Sequence, residues 1–361
     1  MSMNILYGVQ ATGQGHISRA RAIARELAEH NVSVTWLFSG RSRDKLFDME
    51  LFADFQHRQG LSFAHSNGRI DYLATLRENK LLQFLRDVRQ LDLLPYDLVV
   101  TDYEPVTAWA ARLAGIRCIG IGHQYAFGQQ TPVTGGSWWS QLIMRQFAPV
   151  DLPLGLHWHP YAANVMPPVL DLPALTPWDR GHILVYLPFE NQDTVTKLLQ
   201  ALPSRRFIQY ANGLTPGILG NVVRRPASIN GFKVDLASCN SVICNSGFEL
   251  ISECLQWGKP ILTKPLAGQM EQESNALALR QLGYATVMLT LSTRAIEEWQ
   301  ATPVRLPFDG FSNVAAALAQ WLAAGATGSV TELGRQLWQR ETDQSKLPPG
   351  SPIDSPRVKV V

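Results

Sequence analysis

The segment Gly13-Gln-Gly-His-Ile-Ser18 sets two glycines and an imidazole where an apolar run gives way to a helical pattern. Glycines let the backbone turn tightly, and a helix N-terminus carries roughly half a positive charge, so an anion or a reacting group is well placed there. His16 is the group in that loop whose proton comes and goes near neutrality. A second candidate, Asp102, follows the apolar run Leu98-Val-Val-Thr101. A carboxylate behind an imidazole fixes its tautomer and raises its basicity, which leaves the other nitrogen to take a proton. His16 and Asp102 therefore read together as a dyad. Each also has a plainer reading: His16 as an exposed histidine with no task, Asp102 as the N-cap of a helix over 106–114.

Further along, Asn245-Ser-Gly247 stands between an apolar run and a helix that begins near Phe248. Free amides at such a helix start hold phosphate. Pro265-Leu-Ala-Gly-Gln-Met-Glu-Gln-Glu-Ser-Asn-Ala276 is a second loop, rich in groups that bond hydroxyls and amides. Glu253 lies about one and a half turns into the helix from Phe248; on periodicity alone it reads as part of a solvated face.

These loops need a scaffold, and the chain signals one. Short apolar runs alternate with helical patterns: a strand over 4–10, a helix over 17–30, strands over 32–38, 98–101 and 117–121, and a helix over 106–114 between the last two. Alternation breaks from 124 to 180, where Pro, Gly and aromatic residues dominate. It resumes with strands over 183–187, 207–210, 241–244, 260–263 and 285–289 and helices over 194–202, 249–257 and 274–282. A strand after each helix is the βαβ signature, so an α/β fold with mostly parallel sheets is expected. At 361 residues there is material for two cores, since one core rarely outgrows about 250–300 residues. The expected division is an N-terminal Rossmann-like domain (1–165), a second such domain (180–305), C-terminal helices packing back on the first (306–341), and a disordered tail (342–361).

Composition excludes some function classes. Lys and Arg total 32 against 30 Asp and Glu, which gives no basic face for nucleic acid. The beginning shows no secretory signal pattern, and no run reaches the roughly 18 apolar residues of a membrane span. The four cysteines, Cys118, Cys239, Cys244 and Cys254, form no CxxC pair and read as reduced, buried thiols of a cytoplasmic protein. A dinucleotide fingerprint is poorly supported: Ser18 replaces the third glycine, and the second strand ends Leu37-Phe-Ser-Gly-Arg41 without an acid for the ribose. An NADP reading survives only through Arg41 and Arg43.

The Gly13 to His16 loop, the segment from Gly247 to Pro260 and Gly268-Gln-x-x-Gln-x-x-Asn-Ala276 together resemble the inverting GT-B glycosyltransferases. Within that group they are most similar to the peptidoglycan N-acetylglucosaminyltransferases and to a set of uncharacterised bacterial and archaeal glycosyltransferase-like proteins. The layout is similar over 4–325, the motifs over 8–30 and 237–285. The resemblance implies two Rossmann-like domains facing across a cleft and a nucleoside-diphosphate sugar, with UDP the leading candidate, as co-substrate rather than cofactor. It assigns Glu253 to the ribose hydroxyls and Asn245, Ser246 and Gly247 to the turn whose helix receives the diphosphate. Gln269, Glu271 and Gln272 fall to the donor sugar, Phe232 in Ile229-Asn-Gly-Phe232 to the base, and Gly13 and Gly15 to the loop beneath the donor. His16 is then the base towards the acceptor, with Asp102 behind it.

There are departures. Pro188-Phe-Glu-Asn-Gln192 lacks the Gly-Gly-Ser phosphate turn of the peptidoglycan enzymes, and region 124–160 matches nothing alignable. Phe127, Trp138 and Trp139 in it read equally as contacts to a lipid-linked or glycan acceptor and as an aromatic core. No DxD pair offers a metal site, and no glutamates eight apart mark a retaining enzyme. The expected reaction is metal-independent displacement with inversion, in a cytoplasmic protein with room for a peripheral contact to the inner membrane. The rivals are a nucleotide-sugar 2-epimerase, whose Arg-Pro-Glu run after the first strand is missing here, and a non-catalytic nucleotide-sugar-binding protein.

Overall fold

A computed structural model describes residues 2–62, 65–66, 69–70, 80–128, 130–135, 138–226, 228–304 and 310–342. The tail beyond Thr342 and the side chains of Trp138 and Trp139 lie outside the described residues. In the first half, β1 (Met3–Gln10), α1 (Gln14–Leu27), β2 (Val32–Ser39) and β3 (Gln56–His57) are followed by the small strands β4 (His65–Ser66) and β5 (Arg69–Ile70). Then come α2 (Leu81–Gln90), β6 (Leu98–Asp102), α3 (Pro105–Ala114), β7 (Cys118–Gly122), α4 (Trp138–Phe147), β8 (Leu152–Leu156) and β9 (Val165–Met166). Seven strands pair in the order β3-β2-β1-β6-β7-β8-β9, every pair parallel.

The second half repeats the plan with β10 (His182–Tyr186), α5 (Gln192–Gln200), β11 (Arg206–Ala211), the hairpin of β12 (Gly217–Leu219) and β13 (Val222–Pro226), and α6 (Ile229–Ser238). It closes with β14 (Ser241–Asn245), α7 (Phe248–Gln256), β15 (Ile261–Lys264), α8 (Met270–Leu282), β16 (Thr286–Val287) and α9 (Thr293–Ala301). The order is β12-β13-β11-β10-β14-β15-β16, parallel except for β12. Two doubly wound sheets thus make an α/β molecule. In each, strand order reverses between neighbours, β1 beside β6 and β10 beside β14, and ligands of open parallel sheets bind at the carboxyl ends of such a pair.

The central strands are buried on both faces, as parallel sheets require, and β6, β7 and β14 are buried along their whole length. Helix α10 (Val314–Ala323) packs along α1, and Asn313 Nδ2 donates to Glu26 Oε1 at 2.9 Å. In α11 (Val330–Thr342), Trp338 Nε1 donates to the Val165 carbonyl at 2.8 Å. The stretch read as unpatterned holds two further strands, β8 and β9; Pro153 and the glycine of β8 blunt the apolar signal that would have marked it.

Candidate functional site

Parallel register sets β6 beside β1, with Asp102 level with Val9, so the end of β6 reaches the loop that opens α1. Gly13 is the N-cap of α1 with φ −110 and ψ 150, and the helix starts at Gln14, earlier than the apolar spacing suggests. His16 therefore lies in the first turn, 13% exposed, with Nδ1 2.7 Å from Asp102 Oδ1. His16 and Asp102 are together. Asp102 is fully buried and is not a helix cap; that place is taken by Glu104, which accepts from Val106 N at 2.8 Å and Thr107 N at 2.6 Å. Tyr103 between them has φ 54, left-handed for a bulky residue, and this turn lets one segment aim two carboxylates at different tasks.

Sequence reading missed Arg19. Three residues after His16 on the same helix face, it is 1% exposed and grips Asp102 with two N–H groups, Nε to Oδ2 at 2.7 Å and Nη2 to Oδ1 at 2.6 Å. Its remaining Nη1 donates to Glu249 Oε1 of α7, in the opposite half. Burial alone would push the Asp102 carboxyl up, but Arg19 and then His16 hold it below the usual carboxylate range. Glu249 behaves likewise: burial raises it, and Arg19 outweighs that and keeps it low. The spacing of Arg19 from His16 was the available signal; nothing in the sequence singled out Glu249.

Around this centre the halves are locked by polar and aromatic contacts. His123 is buried and stacked on Phe248 with centroids 4.0 Å apart; its Nε2 bonds Asn275 Oδ1 at 2.7 Å. Trp158 Nε1 donates to Ser252 Oγ at 2.8 Å, and Gln124 Nε2 to Glu271 Oε2 at 3.1 Å. A Cβ at Gly15 would press on the Glu249 carboxylate, which would have to move aside.

In the second half, Gly247 caps α7 in extended backbone, and a Cβ there would meet nothing within 4 Å. Asn245 is buried and donates from Nδ2 to the Lys264 carbonyl at 3.0 Å, while its Oδ1 has no partner among the described residues. Ser246 Oγ is turned away, 2.9 Å from Thr263 Oγ1. Gln269 stands at the N-cap position of α8 with Oε1 unpartnered among the described residues, and Gln272 accepts from Leu266 N at 2.9 Å, so it staples its own loop. Glu253 is not on a solvated face: it is 4% exposed and paired with Lys233 Nζ, and burial pushes its carboxyl up to about 7 despite Lys233. It shares no bond with His16; the link is α7 itself, with Glu249 one turn earlier. Phe232 sits in the first turn of α6, a helix capped by Ser228, where the resemblance placed backbone groups gripping the base. Its amide already donates to the Ser228 carbonyl, so it offers the base no backbone N–H, and its ring packs against Tyr186 and Tyr210.

A separate cavity of about 330 Å³, lined by Arg25, Glu26, Leu170, Gln256 and Asn313 among others, lies at the far end of α1, away from His16. Among the described residues no three His, Cys, Asp or Glu side chains are grouped to share a metal ion, and no helix is long and apolar enough to cross a membrane.

The description Glycosyl transferase family 1 matches residues 3–303. The chain belongs to that family. Its fold is the GT-B fold, two Rossmann-like halves face to face. An uncharacterized glycosyltransferase of Methanosarcina acetivorans is 39% identical over 84 residues, a match that covers 22% of this chain and 22% of that protein. Among solved structures, MurG of Acinetobacter baumannii overlays with a TM-score of 0.51 at 16% identity, over 93% of this chain and 99% of that one. The glycosyltransferase SsfS6 of Streptomyces sp. SF2575, complexed with thymidine diphosphate, gives 0.54 at 15% identity over 93% and 99%. The kitacinnamycin glycotransferase gives 0.55 at 18% identity over 95% of each chain. At such identities the overlays speak for the fold alone.

Proposed function

We propose that the protein transfers a sugar from a nucleoside-diphosphate donor to an acceptor hydroxyl with inversion, His16 serving as base. The observation that carries this reading is the 2.7 Å contact of His16 Nδ1 with buried Asp102, which Arg19 links to Glu249 in the first turn of α7. Nδ1 also lies 2.9 Å from Arg19 Nη2, but it cannot donate to one and accept from the other at once. The shorter contact, to a carboxylate, favours Nδ1–H donating to Asp102, which leaves the lone pair on Nε2. That nitrogen takes the acceptor proton as its oxygen attacks the anomeric carbon from the face opposite the leaving diphosphate. The leaving group is stabilised by the α7 amides beside Gly247, which do the neutralising without a metal ion. Unpartnered Asn245 Oδ1 and Gln269 Oε1 are acceptors for donor hydroxyls or amides, and Glu253 is the ribose carboxylate. UDP is the favoured donor nucleotide; thymidine diphosphate, held by the structural neighbour SsfS6, is the second to try.

The test is a titration of the full chain with UDP and thymidine diphosphate, followed by assay of nucleotide release from their sugar conjugates. One of the two nucleotides is expected to bind. His16→Ala should cut turnover by about 10²–10⁴ while leaving nucleotide affinity within about twofold. Failure of both nucleotides to bind rejects the donor; a normal rate in the variant removes His16 from the mechanism.

A further inference from the structure

Glu249 is the unexpected member of this centre. It belongs to the first turn of α7, the helix end proposed for the diphosphate, where an acidic side chain is favoured by the helix dipole but would repel a phosphate. Arg19 draws that carboxylate off the helix end and into the N-terminal half. The charge sum matters. Arg19 and Asp102 alone are a neutral pair, so Asp102 lends His16 a hydrogen bond but little net charge. With Glu249 present, one guanidinium faces two carboxylates, and the remaining negative charge is matched when His16 becomes an imidazolium. The other titratable groups that act on these carboxylates include Tyr7 of β1 and Tyr125 after β7, which burial keeps as neutral phenols, His123 in the turn after β7, beside Glu249, and Glu253 one turn further along α7.

We propose that Arg19 and Glu249 form a relay between the halves that completes the base: the C-terminal half supplies the second negative charge that lets His16 accept a proton. The inference rests on His16 acting as base. Arg19 and Glu249 are positioning residues, since neither needs to touch the reacting atoms. Gly15 belongs to the device, because any side chain there would push the Glu249 carboxylate off Arg19. A guanidinium is required, because a lysine ammonium cannot hold both Asp102 oxygens in a fork and still reach Glu249.

Glu249→Gln keeps the shape and a hydrogen bond to Arg19 but deletes the charge. In the full chain without substrate, the His16 ring protons, assigned in NMR spectra by comparison with His16→Gln, should titrate at a pH lower by about half a unit or more in Glu249→Gln than in wild type. Superimposable titrations overturn the relay. With the better-bound of UDP and thymidine diphosphate, Glu249→Gln should bind the nucleotide as tightly or up to about fivefold more tightly, because a carboxylate beside the diphosphate is neutralised. Its kcat for nucleotide release should fall about tenfold, and Glu249→Asp should recover part of that. A merely structural Glu249 would give weaker binding with unchanged kcat, which also rejects the proposal. If neither nucleotide binds wild type, the donor reading fails, while the NMR comparison still decides the relay.

Discussion

Glu253 is buried against Lys233, and burial pushes its carboxyl up to about 7. A carboxyl raised in this way holds its proton below that pH, and only the ionised form accepts from two ribose hydroxyls. Nucleotide affinity should therefore weaken as pH falls from 8 through 7, approaching about tenfold per unit once the protonated form dominates. Glu253→Gln should flatten that dependence while lowering affinity at pH 8. Calorimetric titrations at a series of pH values check it, and parallel slopes in the two proteins would show that Glu253 is not the group sensed; the comparison cancels the nucleotide's own phosphate ionisation. At this scale the sequence disclosed His16 and Asp102 because each follows a strand at a sheet edge. Arg19 and Glu249 stayed hidden for a physical reason: a charged residue on an amphipathic helix reads as solvated until the element covering it is known, and here each is covered by the other half of the molecule.

The turn between β6 and α3 shows how an element positions two such residues at once. Tyr103 takes φ 54, and its hydroxyl donates to the Met144 carbonyl at 2.8 Å, so the left-handed residue is pinned from α4. Thr101 Oγ1 then closes on Glu104 N at 2.8 Å, and the Glu104 carboxylate takes Ser39 Oγ at 2.6 Å besides the two helix amides. Glu104→Ala would strand two helix N–H groups and the Ser39 hydroxyl in the core, at roughly 1–3 kcal/mol per orphaned group. Urea unfolding should show a loss of about 3 kcal/mol or more. A loss below about 0.5 kcal/mol would mean that water reaches the turn and the cap is dispensable. Strand–helix alternation was legible in the sequence here because β1, β6, β7, β10 and β14 are continuous apolar runs between turn signals. Three kinds of element were not. The strand β8 contains Pro153 and a glycine, α6 contains a glycine in its first turn, and the two-residue strand β9 is held by its neighbours rather than by any pattern of its own.

Across the whole molecule, the decisive contacts are the buried polar ones between halves, and Asn275 makes one of them while also holding the turn before α7. Its Oδ1 is 2.7 Å from His123 Nε2 in the N-terminal half, and its Nδ2 donates to the Ser246 carbonyl at 3.0 Å, in the turn that opens α7. Asn275 is fully buried, as are His123 and Ser246, so no solvent stands ready to replace either bond. The apolar partner of this contact, Phe248 stacked on His123, would hold the halves in approximate register without fixing their orientation. Asn275→Ala would therefore leave an orphaned imidazole nitrogen and an orphaned carbonyl, a loss of about 2–4 kcal/mol. Because the His123 bond is among those lost and it joins the halves, scanning calorimetry should show uncoupling. One transition in wild type should become two in the variant, with the first midpoint lower by roughly 5–10 °C. Nucleotide should restore part of the lost coupling, since a ligand gripped by α7 and facing His16 is bound best when the halves are closed. A variant that melts in one unshifted transition would show that the halves are held by their apolar surfaces alone, and that the relay from Glu249 to Arg19 closes on a molecule already shut.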